Sequence, residues 1–467
     1  MSAISQALPR IQLAHAVEQL GQLVAIPSVS NPNSPDYNMT HLENAADFVG
    51  SKLQKLGFKV RFERIEGSAP FVLAEKVVSA AKKTILLYAH YDVQPVDREK
   101  WIGDPFVMTE RDGRLYGRGA SDDKGGIIAI LAALEAYQNA NMELPVNVKI
   151  LFEGEEEYGS THMNALLKQE GERLKADALV VMDGGNRDVH SGTLTSSTRG
   201  LANIHLQVNA LQKPVHSGVG CLVPDPALAL ARLVGSLSDP KSIPGFLDDF
   251  ESLKPAEREL LSQSSQTAAS YAQEMGVTGG ELRGDSNVSI YERIVEEPSI
   301  SLVNMNAGQP NGGNSIQDSA SCTIGIRVAP GQDPDRVADV VMKYLKSQPV
   351  LYNLPIEMNL VKKGSWAWKA DLSKPFSNLY LKALAENFKN VCAMPCGGAL
   401  PLLREFQGHF PTMEMVVPAV EDPASAAHSH NESQDLNLLE NAANSLVAFL
   451  YKAGQISCSK CCCKKIL

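Results

Sequence analysis

The stretch VNVKILFEGEEEYGS, residues 146–160, begins as an apolar run and ends in four glutamates, at positions 153, 155, 156 and 157. Apolar runs of this length are typical of strands that are buried on both faces of a sheet. Carboxylates crowded at the end of such a strand repel one another and lose hydration. Either they form a solvated loop or a cation compensates their charge, and the rest of the sequence distinguishes the two.

The segments around this stretch alternate between strand-like and helix-like patterns. The predicted strands are KTILLYAH (83–90) and DALVVMD (177–183), and the predicted helices are THLENAADFVGSKLQKLGF (40–58) and GGIIAILAALEAYQNA (125–140). Thr40 and Glu43 have the spacing of a capping box at the start of a helix. Continuous apolar strands separated by helices indicate a parallel α/β sheet that is covered on both faces.

The pattern changes after about residue 199. In LANIHLQVNA, residues 201–210, apolar and polar residues alternate, which predicts a strand with one face exposed to solvent. Strands and helices of this kind continue to about residue 363, and the first pattern returns after it. We therefore predict a discontinuous α/β domain, residues 1–198 and 364–467, which is interrupted by an inserted α+β domain, residues 199–363.

The composition argues against several classes of protein. The chain has 467 residues and a net charge of −10, from 43 basic and 53 acidic residues, whereas a nucleic-acid-binding protein usually shows a basic surface. No apolar run reaches the ~20 residues of a membrane span, and the N-terminus lacks a secretory pattern. We expect a cytoplasmic protein with neither nucleic-acid nor membrane partners. For the cysteine-rich tail, residues 458–467, an end without a role is favoured over palmitoylation or metal binding.

Residue types that bind metals follow several of the predicted strands. They are His90, the glutamates at 153–157, Asp183, His428 and His430 in AAHSHNES, and Asp122 and Asp123 in the loop GRGASDDKGG. Ligands of an open parallel sheet bind at the carboxyl ends of its strands, so these residues should converge at one edge. Imidazoles together with carboxylates suit zinc, with manganese or cobalt as substitutes. Two divalent cations would compensate the crowded carboxylates, which favours a cation over a solvated loop.

Each of these signals is weak by itself. A single histidine at a strand end is more often an ordinary polar residue than a ligand, and an acidic run is usually a solvated turn. The loop GRGASDDKGG, residues 117–126, lacks the Gly-Lys-Ser/Thr ending of a phosphate-binding loop, which excludes that interpretation. Their coincidence at several strand ends indicates a metal site.

The motifs also carry a family resemblance. The block from His90 to Gly126, together with EGEEEYGS, HSG and AHSHNE, resembles the dinuclear zinc metallopeptidases that include carnosine dipeptidases, cytosolic nonspecific dipeptidases, carboxypeptidase G and succinyl-diaminopimelate desuccinylase. The resemblance implies a zinc-binding α/β sandwich domain with an inserted, ferredoxin-like α+β lid domain. In this family the lid is often used for dimerisation, so a homodimer is expected.

The resemblance also implies a role for each residue of the metal centre. His90 and Asp183 would each bind one metal ion, and Glu157 and His428 would bind the other. Asp122 would bridge the two ions. Glu156 would be the general base, and Asp92 would be a catalytic residue that orients a ligand.

The substrate contacts would come from the inserted domain, which carries His216 and Arg327, and from the segment CGGALP, residues 396–401, of the α/β domain. By the resemblance, His216 polarises the scissile carbonyl, while Arg327, Gly398 and Ala399 bind the substrate near its carboxylate. Two departures from the family pattern leave the substrate preference open. Ala399 in CGGALP stands where members usually have serine or threonine, and the run after His216 is one residue shorter.

The predicted function is therefore the dizinc-dependent hydrolysis of peptide bonds in dipeptides or small peptides. One alternative is an N-acyl amino acid amidohydrolase such as a succinyl-diaminopimelate desuccinylase. The alternative from another class is a metal-binding assembly protein without turnover. A base at Glu156 argues against the last, because a scaffold has no use for a base beside its metal.

Overall fold

The computed structural model describes residues 8–308 and 313–456. The helices of this part of the chain are α1 Leu13–Val24, α2 Met39–Lys55, α3 Lys124–Asn139, α4 Met163–Leu174, α5 Pro226–Gly235, α6 Pro255–Ser264, α7 Ala268–Glu274, α8 Ile290–Glu296, α9 Pro334–Ser347, α10 Pro375–Ala385, α11 Pro401–His409 and α12 Leu436–Ala453. The cysteine-rich tail lies outside the described residues, so its predicted lack of a role stays a prediction.

The strands of the same residues are short and numerous. They are β1 Lys59–Glu63, β2 Phe71–Lys76, β3 Thr84–His90, β4 Thr109–Arg111, β5 Arg114–Tyr116, β6 Asn147–Glu153, β7 Ala178–Val181, β8 Gly184–Gly185, β9 Ser191–Thr198, β10 Gly200–Asn209, β11 Val215–His216, β12 Ser299–Asn306, β13 Ser315–Ile316, β14 Ser319–Val328, β15 Ile356–Leu360, β16 Trp368–Lys369, β17 Asn390–Cys396, β18 Glu414–Val416, β19 Ala419–Glu421 and β20 Ser433–Asp435.

The described residues pack into two compact units. The first consists of residues 8–196, 370–394 and 402–456, and the second of residues 197–369 and 395–401 without the gap at 309–312. The segment 395–401, which the sequence analysis places in the first predicted domain, packs with the second unit. Within the described residues, no helix has both the length and the apolar character that crossing a bilayer requires.

A six-stranded sheet forms the centre of the first unit. Its strand order is β1-β2-β6-β3-β7-β18. The four strands from β6 to β18 run parallel, whereas β1 and β2 form an antiparallel edge. All of β7 and all but the first residue of β3 are buried, so both faces of the sheet are covered there. The predicted α/β class is confirmed, and the antiparallel edge is an addition to it.

Helices α2 and α3 cover part of this sheet. α3 is buried over nearly its whole length and packs against β3, α1 and α12. α2 begins one residue earlier than predicted, because the side chain of Asn38 accepts a hydrogen bond from the amide of Thr40 and caps the helix. The predicted capping box is therefore wrong, and Glu43 pairs with Arg64 instead.

The second unit is built on a four-stranded antiparallel sheet with the order β12-β14-β10-β15. Alternate residues of β10 are buried, as the sequence pattern predicts, and they form one core with α5 and α9. The opposite face of β10 is only partly covered. α6, α7 and α8 lie in the segment between α5 and β12.

Candidate metal centre

The candidate metal centre of the first unit lies where the parallel strands end. His90 is the last residue of β3, and Asp183 follows β7 by two residues. β6 ends at Glu153, and a short 3-10 turn at Glu156–Tyr158 follows it. Because β6, β3 and β7 are parallel neighbours, their carboxyl ends lie side by side. Asp122 comes from a different segment, the loop that leads into α3.

Five of the predicted ligands form two groups that share Asp122. His90, Asp122 and Asp183 form one group, and Asp122, Glu157 and His428 form the other, with ligand atoms within 4.8 Å of one another in each. Oδ1 of Asp122 lies 3.1 Å from Nε2 of His90. Its Oδ2 lies 2.9 Å from Nε2 of His428. Asp122 thus presents one oxygen to each group, as a ligand shared between two cations does.

The histidine of each group also lies close to the group's other carboxylate. Nε2 of His90 lies 3.9 Å from Oδ1 of Asp183, and Nε2 of His428 lies 3.0 Å from Oε2 of Glu157. His90 and Asp122 are buried, whereas His428 is exposed for 60% of its side chain, so one end of the centre is open to solvent.

The electrostatics of the centre fit bound cations. Burial, and then the charge of Asp123, hold the pKa of Asp183 well above its usual range. Burial likewise raises the pKa of Glu157, and it raises the pKa of Glu156 to about 8. The pKa of Asp122 is lowered in spite of burial, because His428 and His90 donate to its carboxylate. Two imidazoles do not compensate this many buried carboxylates, whereas divalent cations would.

Asp92 connects a predicted ligand to the predicted base. It is buried, and its carboxylate accepts hydrogen bonds from the amides of Glu156 at 3.2 Å and Glu157 at 3.0 Å. Oδ1 of the same group lies 3.3 Å from Nδ1 of His90. A carboxylate on the far nitrogen of a histidine ligand fixes the tautomer and the ring orientation. Asp92 is thus placed to orient the histidine and the glutamate turn together.

The four glutamates of the opening stretch divide into two pairs. Glu153 accepts hydrogen bonds from Tyr88 and Ser160. Glu155 accepts from the amide of Ala69 and pairs with His162. These two carboxylates stabilise the strand end and do not enter either ligand group, so the prediction that the whole cluster serves the metal is wrong for them. Of the four, only Glu157 belongs to a ligand group, and Glu156 precedes it in the same turn.

Other residues at the centre escaped the sequence analysis. Gln94 donates to Oε2 of Glu157 at 2.7 Å. Glu421 lies beside the centre at the end of β19, where burial and then the charges of Asp122 and Asp183 raise the pKa of its carboxyl group. A polar residue at the end of a strand is the signal that would have found it. His430 is in neither ligand group among the described residues.

The predicted substrate-binding residues lie in the second unit. His216 ends β11 and is exposed, with Nδ1 accepting from the amide of Gly218 at 3.0 Å. Arg327 lies on β14, near Cys396, and burial lowers the pKa of its guanidinium group. The backbone amide of Arg199 donates to the carbonyl of Gly398, the residue before Ala399. The guanidinium group of Arg199 donates to the backbone carbonyl of Arg327. The roles of these residues stay predictions.

Comparisons with known proteins identify the family of this chain. The model of the peptidase family M20/M25/M40 matches residues 86–452, which include both ligand groups. The chain belongs to this family. It is therefore a metallopeptidase, an enzyme that hydrolyses peptide bonds, and the resemblance found in the sequence is confirmed.

The relatives that match most of the chain include two dipeptidases. A cysteinylglycine-S-conjugate dipeptidase of Corynebacterium striatum is 30% identical, over 94% of this chain and 95% of that protein. The human β-Ala-His dipeptidase is 28% identical, over 89% of this chain and 85% of that protein.

Solved structures show the same fold. Human carnosine dipeptidase 1 is similar with a TM-score of 0.79 and 26% identity, covering 95% of this chain and 97% of that one. An M20 family metallo-carboxypeptidase of Sulfolobus solfataricus gives a TM-score of 0.81 at 26% identity, covering 94% and 99%.

Proposed function

We propose that the enzyme hydrolyses dipeptides or small peptides with two divalent cations, most suitably Zn²⁺, and with Glu156 as the general base. The observation that carries the proposal is the pair of ligand groups that share Asp122. His90 and Asp183 would hold one ion, Glu157 and His428 the other, and Asp122 both. Bound there, the cations would supply Lewis acidity that acidifies a water molecule and polarises the substrate carbonyl.

Glu156 is suited to move the proton of that reaction. Its backbone amide donates to Asp92, and the charges of His90, Glu157 and Asp122 act on the pKa of its carboxyl group. We assign it to accept a proton from the attacking water and to deliver that proton to the leaving amine. Glu157, its neighbour, is engaged with His428 and Gln94 and is the ligand of the pair.

The second unit would bind the ends of the substrate. His216 would donate a hydrogen bond to the carbonyl oxygen as negative charge develops on it. Arg327 would hold the terminal carboxylate, since a guanidinium group donates two parallel hydrogen bonds to a carboxylate. Gly398 and Ala399 would line the same end, without the hydroxyl group that a serine or threonine would place there.

The relatives support dipeptides as the substrate class. Both relatives described above are dipeptidases by name. The name of one refers to cysteinylglycine S-conjugates and the name of the other to β-Ala-His. Because Ala399 removes a polar contact near the predicted carboxylate site, we expect tolerance in the C-terminal residue of the dipeptide rather than selection for one side chain. A cytoplasmic location stays a prediction.

The experiment that tests the proposal is metal analysis combined with a substrate screen. Purified protein should contain about two divalent ions per chain, and chelation should abolish hydrolysis of dipeptides until zinc is restored. N-acyl amino acids in the same screen test the amidohydrolase alternative. Full dipeptidase activity in protein shown to be free of metal would refute the proposal.

We also propose a homodimer formed through the second unit. β12 is an edge strand of its sheet, and Leu302, Val303 and Met305 on it are exposed by 46%, 65% and 44%. An apolar edge strand with unpaired backbone groups is a template for pairing with a second strand. A second copy of the chain would cover it by antiparallel pairing, and sedimentation at micromolar concentration should show a dimer. A monomer there would contradict this.

A further inference from the structure

We propose that Glu432 is a positioning residue that sets the distance between the two ligand groups by binding the loop of Asp122 to the segment of His428. The proposal rests on the dinuclear centre proposed above. Glu432 lies four residues after His428, and its side chain is completely buried. It is in neither ligand group.

The carboxylate of Glu432 is surrounded by donors from one loop. It accepts five hydrogen bonds, all from residues 118–122. Oε2 accepts from Nη1 of Arg118 at 2.6 Å and from the amide of Gly119 at 2.9 Å. Oε1 accepts from the amide and the hydroxyl of Ser121 and from the amide of Asp122, each at 3.0 Å. The last bond reaches the shared ligand itself.

The other side of the connection is the segment that carries His428. Nη2 of Arg118 donates to the carbonyl of Ser429 at 2.9 Å, and the amide of Gly117 donates to the carbonyl of Glu432 at 3.0 Å. The loop and the segment are thus bound at several points, and the only charged pair among these contacts is Arg118 with Glu432.

The segment needs such an anchor because its backbone is unusual. Ala426, His428 and Asn431 have φ values of 53°, 61° and 58°, which non-glycine residues seldom adopt. A conformation of this kind persists only where the surrounding structure imposes it. His428 is itself exposed, so its ring is not fixed by burial. The buried contacts of Glu432 contribute to placing the Cα atom of His428 relative to Asp122.

The consequence concerns metal binding more than substrate binding. Both oxygens of Asp122 are used, one towards each group, and a small shift of the loop against His428 would lengthen the contacts in the second group. Loss of residues that orient metal ligands typically weakens metal affinity or activity by ~10–100-fold. We therefore expect Glu432 to act on metal affinity and on turnover, with little effect on the Michaelis constant.

The test is the isosteric change Glu432→Gln, with Glu414→Gln as a matched control. Glu414 is also buried, and its carboxylate accepts hydrogen bonds from the amide and the hydroxyl of Ser377. It lies at the end of the parallel strands opposite to the metal centre. Zinc affinity is measured by competition with a chromophoric chelator, alongside thermal unfolding with and without zinc. Glu432→Gln should weaken binding of the more weakly held zinc ion by ~10–100-fold, and Glu414→Gln should leave zinc affinity unchanged.

A milder variant covers the case in which Glu432→Gln does not fold. Ser121→Ala removes one of the five hydrogen bonds and should weaken the same zinc ion by a smaller factor. Wild-type affinity in Glu432→Gln, or in Ser121→Ala where only that variant folds, would overturn the positioning role. An equal loss in Glu414→Gln would do the same, since it would reflect general destabilisation. Failure of the wild type to bind two ions would instead contradict the dinuclear proposal.

Discussion

Replacing Glu156 by glutamine separates the proposed base from its neighbouring ligand. The change keeps the size of the side chain and leaves the backbone hydrogen bond from residue 156 to Asp92, 3.2 Å long, in place. What it removes is a carboxylate that can accept a proton. Asp122, Glu157 and the two histidines keep all of their mutual contacts, so metal content should remain near that of the wild type.

The size of the effect follows from the role. General base catalysis contributes ~10²–10⁴-fold to rate, and at about 1.4 kcal/mol for each factor of ten the barrier should rise by ~3–5 kcal/mol. The Michaelis constant should change little, because Glu156 acts on water and on the leaving amine. Stability of the metal-free protein should not fall, since burial already raises the pKa of this group to about 8 and disfavours its anion.

Glu157→Gln is the comparison that makes this result decisive. Glu157 lies 3.0 Å from His428 and accepts from Gln94, so losing its charge should release metal. Turnover with a dipeptide and metal content by elemental analysis are measured for both variants. If both variants lost metal, or both kept it and lost rate equally, the division of roles between the two glutamates would be wrong.

The remaining predictions concern the second unit and the interior of the first. His216→Ala should lower turnover by ~10²–10³, and Arg327→Ala should raise the Michaelis constant for substrates with a free carboxylate but hardly for amidated ones; equal effects on both substrates would exclude the carboxylate role. Mixing His216→Ala chains with Glu156→Gln chains should restore part of the activity if the histidine acts across a dimer. Burial raises the pKa of Glu153 to about 7, although the hydrogen bonds from Tyr88 and Ser160 lower it. The folded state therefore favours the neutral carboxyl group. The stability that this group contributes to folding is fully present below about pH 4.5 and is lost as the pH rises through 7. Relative to Glu153→Gln, the chelated wild type should thus lose ~3 kcal/mol between pH 4.5 and 8, and a difference in unfolding that did not change with pH would contradict this.

The sequence determined the class of the fold because the two patterns that indicate it, continuous apolar runs and apolar–polar alternation, are local. An apolar run such as β3 or β6 is buried wherever it lies, and the alternation in β10 produces one covered and one open face. The same locality explains the error at α2. Asn38 competes with Thr40 for the first amides of the helix, and capping-box spacing does not decide which one succeeds.

The sequence also indicated the metal-binding residue types, since His90 and Asp183 follow parallel strands whose ends must meet. It could not divide the four glutamates, because one partner of each of the two outside the ligand groups, Tyr88 for Glu153 and Ala69 for Glu155, comes from a distant segment and is reached only when the chain folds. The same holds for Glu432, which is 310 residues from Asp122 in the chain and within one hydrogen bond of it in the structure. Ligand types are encoded locally, whereas the contacts that orient ligands are made by tertiary packing.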